Sequence, residues 1–309
     1  MLRMLYYAGL RALGVPRLVR GLRKKGLILC YHNVWPAPAG PPAGDTTVHL
    51  PLERFVEQVS WLTQHYTVVP LGELVKRVNA GRSLRGLATL TFDDGYAGVF
   101  SHAWPLLVKL GLPATVFVVT GVQDSRDVFW WDHSAVTRSA TPEQRDQWLT
   151  ELRGNGDAIT KALGAAPAPP LPPSHRPADW DAIAQAADAG LALGAHSVSH
   201  RTLTRLDDVQ LEREIVASRR TIRAHAGADP EFFAYPYGIW DARVRDAVRA
   251  AGYRGAVTLD YGLVAAGTDP WALPRVNVPA PLSLAAFEAW AAGLAPRRGP
   301  GGSRGAASS

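Results

Sequence analysis

The feature that most constrains this chain is a local pattern that it uses three times. A helical stretch ends at a glycine, Leu or Tyr follows, and an apolar, largely β-branched run comes next. The copies are residues 104–110, Gly111-Leu112 and 115–119; residues 180–189, Gly190-Leu191 and 192–196; and residues 242–251, Gly252-Tyr253 and 256–259. Glycine there closes a helix in the left-handed conformation, and the run after it reads as a buried strand. A fourth unit is read at residues 55–64 leading into 67–69, and residues 27–31 form an apolar strand before it. Helices alternating with nearly all-apolar strands require a parallel sheet covered on both faces. Six or more strand candidates in about 250 residues favour a TIM-like α/β fold, a distorted or incomplete (β/α) barrel of about seven strands, over a doubly wound sheet. In such a barrel, reactive side chains gather at the C-terminal ends of the strands.

Two segments interrupt the pattern. Residues 124–178 hold Trp130-Trp131-Asp132-His133, a polar helix near 142–153, and five prolines between Pro167 and Pro173, expected to form a stiff polyproline-like loop. The Gly/Ser/Arg-rich residues 296–309 read as a disordered tail. The chain therefore divides into a basic N-terminal arm (1–25), a barrel (26–295) carrying an insertion at about 124–178, and the tail.

Charge is distributed along the same divisions. The total is +6, but residues 1–25 and 296–309 together hold ten basic residues and no acid, so 26–295 carries −4. A mildly acidic body argues against nucleic-acid binding. For the arm, two readings stay open: a short surface helix packed on the domain, or a basic amphipathic contact with anionic lipid heads. No run is long and apolar enough for a membrane span. A single cysteine, Cys30, excludes a disulfide framework and zinc sites built from paired cysteines. The expected location is the cytoplasm, at the inner face of the membrane if the arm meets lipid.

The polar residues can be set against the strand-end rule. Asp93-Asp94-Gly95 closes the strand at 88–92. Adjacent carboxylates raise each other's pKa, and within a strand they would point to opposite faces. At a strand end, where glycine lets the chain turn, both can serve one site if a cation separates their roles. The structural alternative is a cap for the helix read at 99–110. The strand at 191–195 ends in His196-Ser197-Val198-Ser199-His200, and two histidines at i and i+4 can converge on one cation. Two imidazoles and one carboxylate make a facial set for a divalent metal that keeps positions open for water.

Thr91-Phe92-Asp93-Asp94-Gly95 followed by His196-Ser-x-x-His200 resembles the polysaccharide deacetylase family, carbohydrate esterase family 4, over about residues 26–279. The resemblance implies a distorted (β/α) barrel that removes acetyl groups from sugars with one divalent metal ion: zinc, with cobalt, nickel, manganese or iron as alternatives. It implies Asp93 as catalytic base and Asp94, His196 and His200 as metal ligands. Phe233-Ala234-Tyr235-Pro236-Tyr237-Gly238 resembles the family's third motif, which gives the backbone N–H of Tyr237 to the oxyanion. Ala234 departs from it, because many members place a base-orienting arginine there; Arg275 is a candidate substitute. The late Leu-x-His motif has no counterpart, since no histidine follows His225. Instead Tyr31-His32 at the first strand resembles the circularly permuted branch, which includes poly-N-acetylglucosamine deacetylases and makes His32 the general acid. Trp130 and Trp131 suit either a sugar subsite or the insertion's own core. His49, His65, His102, His175 and His225 are expected on loops or helix surfaces, in solvent.

The leading expectation is a metal-dependent deacetylase of N-acetylated polysaccharide, oligosaccharide or glycolipid. An O-acetyl sugar esterase is the sister reading, and a non-catalytic carbohydrate-binding barrel is the alternative kept open by Ala234. A serine hydrolase would need Gly-x-Ser-x-Gly and a zincin His-Glu-x-x-His, and neither motif is present. Paired glycosidase carboxylates stand about 5–9.5 Å apart across the bond, a poor fit to sequence neighbours.

Overall fold

A computed structural model describes residues 2–36, 44–123, 128–164 and 171–295. Of the polyproline-like loop expected at 167–173, residues 167–170 fall outside the described residues, as does the tail expected to be disordered from 296, and Pro173 opens a 3-10 turn, Pro173–His175. The strands are β1 (Leu27–Tyr31), β2 (Asn33–Trp35), β3 (His49–Pro51), β4 (Thr67–Val68), β5 (Leu87–Phe92), β6 (Ala114–Val118), β7 (Ala192–Ala195), β8 (Phe232–Ala234), β9 (Gly255–Tyr261) and β10 (Leu273–Asn277). Seven of them form a parallel ring in the order β1, β10, β9, β8, β7, β6, β5, and the pairing of β5 with β1 closes it. The barrel is TIM-like with seven strands, and it is complete, not open. β4 pairs only with the start of β5, and β2 and β3 form a separate pair beside the ring.

The strands alternate inside and outside with the pleat. Leu27, Leu29, Leu90, Phe92, Val116 and Val118 join the outer core, under the helices. Ile28, Phe117, Phe232, Ala234, Val257 and Leu273 form a second cluster with Leu71, Leu74, Val75 and Val78 of the helix Leu71–Asn79. Gly194 makes room for this interior plug. A Cβ there would stand inside the van der Waals envelope of the Phe117 ring, so a side chain on β7 and the aromatic on β6 exclude each other. Phe117 lies 5.7 Å beneath the Arg275 guanidinium and forms the floor of the polar layer above.

The repeated glycines do what their pattern requires: Gly111, Gly190 and Gly252 each end a helix with φ between +65° and +95°. The helix expected at 99–110 is instead a π-helical turn, Val99–Ala103, followed by the α-helix Trp104–Lys109. Pro105 then falls in the first turn of the α-helix, where its missing N–H costs no bond. In the insertion, the polar helix spans Pro142–Thr150, opened by a capping box between Thr141 and Gln144.

The arm forms two helices, Leu2–Ala12 and Val15–Leu22, separated by Gly14 at φ +67°. Tyr7 is buried and its hydroxyl accepts from Trp290 Nε1 at 3.0 Å. Arg11 pairs with Glu288 at 3.1 Å. The first arm helix therefore packs on the helix Leu284–Ala291.

Candidate active site at the C-terminal strand ends

Four strand ends bring the nominated residues together. Asp93 and Asp94 follow β5, His196 follows β7, His32 follows β1, and Arg275 points inward from β10. Asp94 adopts φ +72°, and this left-handed turn separates the two carboxylates that an extended strand would have sent to opposite faces. Asp93 stays in the barrel axis; Asp94 turns to the histidines.

Asp94 Oδ1 stands 3.5 Å from His196 Nε2 and 3.4 Å from His200 Nε2, and the two Nε2 atoms are 3.1 Å apart. A point equidistant from three such atoms lies about 1.9 Å from each, close to the ~2.0–2.2 Å of zinc–nitrogen and zinc–oxygen bonds. All three side chains are at least nine-tenths buried. The donor set, two imidazole nitrogens and one carboxylate oxygen, is one that a divalent cation satisfies. His196 Nδ1–H donates to the Ala234 carbonyl at 2.8 Å, which leaves Nε2 as the free lone pair. His200 Nδ1 is buried with no hydrogen-bond partner among the described residues. Its ring is held by packing against Trp131 at 4.7 Å and edge-on to Tyr237 at 4.4 Å.

The electrostatics match this arrangement. Burial pushes the Asp94 carboxyl up, but the facing imidazoles of His196 and His200 outweigh it and hold the group well below the usual carboxylate range. Burial also works against charge on His196, yet Asp94 and Asp93 raise its pKa overall. For His200, burial together with the neighbouring His196 outweighs Asp94, and its pKa falls. The two rings compete for one proton beside one carboxylate.

Asp93 is gripped by Arg275, with Nη1 to Oδ1 at 2.8 Å and Nη2 to Oδ2 at 2.6 Å. The guanidinium, itself fully buried, also donates to the Thr258 carbonyl at 2.8 Å and to Thr91 Oγ1 at 3.1 Å. Burial favours the neutral acid, but Arg275, with smaller help from His196 and His32, holds Asp93 below its ordinary pKa. Ala234 contributes no side chain to this pair; its carbonyl holds His196 instead. His32 is half-buried, and ligand-type atoms of Cys30, His32 and Asp93 lie within 4.8 Å of one another.

Tyr237 sits in a tight turn at φ +58° beside the histidines. Its hydroxyl accepts from Trp130 Nε1 at 2.9 Å. Trp130 and Trp131 are each 7% exposed. They belong to the core that the insertion forms with Phe129, Trp148 and Tyr237, and Trp131 faces the site through His200.

Two features escaped the sequence. Glu214, in the π-helical turn Arg213–Ala217, accepts from the backbone N–H groups of Val198 and Ser199 at 2.9 Å and from Ser199 Oγ at 2.5 Å. It thereby holds the loop between the histidines, and its distance along the chain gave no signal. Asp132 accepts from Tyr96 Oη at 2.6 Å, and Trp131 Nε1 donates to the same hydroxyl at 2.8 Å. This hydrogen-bonded chain leads from the insertion to the ring against His200. The expectation that His49 and His175 are solvated is wrong: they are 4% and 0% exposed. His49 bridges Asn33 (2.9 Å) and Asp132 (2.8 Å), and its ring packs on His175 at 3.9 Å. Asn33 and Asp132 satisfy the two ring nitrogens of His49 from distant parts of the chain, a pairing invisible in the sequence.

The family model described as polysaccharide deacetylase matches residues 81–256. The chain belongs to the polysaccharide deacetylase family. Among curated proteins, YxkH of Bacillus subtilis is 21% identical over 85% of this chain and 75% of its own length. The poly-β-1,6-N-acetyl-D-glucosamine N-deacetylase of Staphylococcus aureus is 19% identical over 73% of this chain, and the match spans 66% of that protein, just under two thirds. Among solved structures, IcaB from Ammonifex degensii superposes with a TM-score of 0.62 at 22% identity, covering 87% of this chain and 97% of that one. That likeness establishes the shared fold.

Proposed function

We propose that this member of the family is a metal-dependent hydrolase that releases acetate from N-acetylated sugars of a polysaccharide or related glycan. The observation that carries the reading is the pairing of an ionised, doubly hydrogen-bonded Asp93 with the Asp94–His196–His200 triangle in one buried layer. Amide hydrolysis needs an activated water, a stabilised oxyanion and a protonated leaving amine. A divalent cation held by Asp94, His196 and His200, zinc being well suited to that donor set, supplies Lewis acidity that polarises a carbonyl and makes water acidic near neutral pH.

In this reading Asp93 takes the proton from the attacking water. Arg275 keeps its carboxylate ionised and aimed, the task that Ala234 cannot perform. The backbone N–H of Tyr237 serves the oxyanion; removing one such donor elsewhere costs roughly 3–4 kcal/mol. His32 gives a proton to the leaving nitrogen, a contribution typically worth about 10²- to 10⁴-fold. The name of the staphylococcal relative supports an N-acetylglucosamine polymer as the substrate class.

The test is acetate release from a panel of N- and O-acetylated glycans, with and without chelator. Chelator-sensitive release from N-acetylated chains, lost in Asp93→Asn, is the expected result. Release from O-acetyl substrates alone would replace the reading with an esterase. Saccharide binding with no release at any metal loading would leave a binding barrel.

A further inference from the structure

The arm at residues 2–25 shows a surface that the barrel chemistry does not use. Of its apolar side chains, Met4, Leu5, Tyr6, Leu13, Leu18 and Leu22 are 60–80% exposed, whereas few large hydrophobics elsewhere are. Leu18 and Leu22 lie four residues apart, on one face of the second arm helix. Exposed apolar surface of this density on a folded domain marks an interaction site. The rim is basic: Arg17, Lys24 and Lys25 are exposed, and the arm contains no acid. Among the described residues, none of these three has a carboxylate partner within 4.0 Å.

An open cleft of about 720 Å³ adjoins the arm, lined by Arg23, Lys24, Lys25, Ser83 and the chain at Gly81 and 265–266. Arg23 also reaches the Gly293 carbonyl at 3.4 Å, and Arg85 donates to the Gly21 carbonyl, so the arm and the cleft are tied to the body. Residues 23–25 and 81–83 precede β1 and β5, so this surface lies at the N-terminal ends of the strands, opposite the candidate active site.

We infer that the arm docks the protein on an anionic phospholipid bilayer. The exposed leucines enter the headgroup boundary, and Arg23, Lys24 and Lys25 hold a lipid phosphate in the cleft. The apolar side chains suit the bilayer boundary, and the uncompensated cations beside them favour one that carries negative charge. The docked barrel then turns its active-site mouth away from the lipid, toward polymer in the aqueous phase.

The experiment is co-sedimentation of the full chain with vesicles of phosphatidylcholine alone and of phosphatidylcholine mixed with phosphatidylglycerol. The parent, Leu18→Glu/Leu22→Glu and Lys24→Glu/Lys25→Glu proteins are compared, with thermal unfolding as a fold check. Binding to the mixed vesicles only, weakened by high salt and reduced on the order of tenfold or more by each pair of substitutions, is expected. Equal sedimentation with both vesicle types, or no change in either variant at unaltered melting, overturns the inference. So does a dimer in solution that Leu18→Glu/Leu22→Glu splits, because a second copy would then be the occupant. Inorganic phosphate that abolishes sedimentation at low millimolar concentration, when chloride at equal ionic strength does not, would reassign the cleft to free phosphate.

Discussion

Replacing Arg275 by Met would test the centre of the site most sharply. Methionine fills much of the arginine stem's volume above Phe117 but removes two hydrogen bonds to Asp93 and one each to Thr91 and Thr258. Asp93 is left as a carboxylate that is 1% exposed and has lost its counter-ion. Breaking a buried pair from one side costs about 3–5 kcal/mol, because the survivor must stay charged without a partner or take up a proton. Both effects are measurable. Urea unfolding should move its midpoint down by that free energy divided by the slope, with the slope unchanged. The acidic limb of the pH–rate profile for acetate release should move up, because burial, no longer opposed by Arg275, favours the protonated acid. A double substitution separates charge from packing: Asp93→Asn on the Arg275→Met background should restore part of the lost stability. If the double variant is no more stable than Arg275→Met, or if the single variant keeps the parent pH profile, Arg275 is not what keeps Asp93 ionised.

Three further expectations follow from other contacts. Glu214→Ala strips the acceptor from two backbone N–H groups between the histidines and should weaken zinc affinity about 10- to 100-fold in a chelator competition, whereas Glu214→Gln should retain most of it; equal affinity in all three proteins refutes the role. Gly194→Ala should cost about 1–3 kcal/mol by overpacking against Phe117, and Phe117→Leu should relieve it in a double-variant unfolding cycle. His175 is held down to about 3 by burial and by the neighbouring His49. The unfolded chain takes up that proton near 6.5, so its contribution is fully present above that pH and falls as acid is added between the two values, by up to about 3 kcal/mol at pH 4. His175→Phe should therefore flatten the melting-temperature curve below pH 6.5, and an unchanged slope would count against a neutral buried ring.

The legible part of the molecule was whatever local chemistry encodes. Gly111, Gly190 and Gly252 announced three helix ends because left-handed backbone favours one residue type, and the apolar runs after them announced strands. Asp93-Asp94-Gly95 and His196–His200 could be paired because each sits where an apolar strand stops. Short strands were harder. β8 has only three residues, Phe232–Ala234, too few to show a period, and β10 carries Pro274 and a buried Arg275 that interrupt its apolar run. β2 and β3 pair across a loop and were not foreseen. The buried histidines were misread because burial of a polar ring depends on partners such as Asn33 and Asp132, one of them 83 residues away. Glu214 was silent for the same reason.

Among the described residues, five other than glycine adopt left-handed backbone: Asp94, Arg153, Ser197, His200 and Tyr237. Four line the mouth, and the fifth accepts the Thr202 N–H two residues beyond His200. Each holds a conformation that costs about 1–2 kcal/mol without a compensating contact. A screen for heat resistance would consequently reward glycine at Arg153, whose exposed side chain gives up little packing while the strain is relieved and the barrel stays closed. Such a winner would unfold later and hydrolyse less, because the same torsions that burden the fold hold the catalytic loops in register.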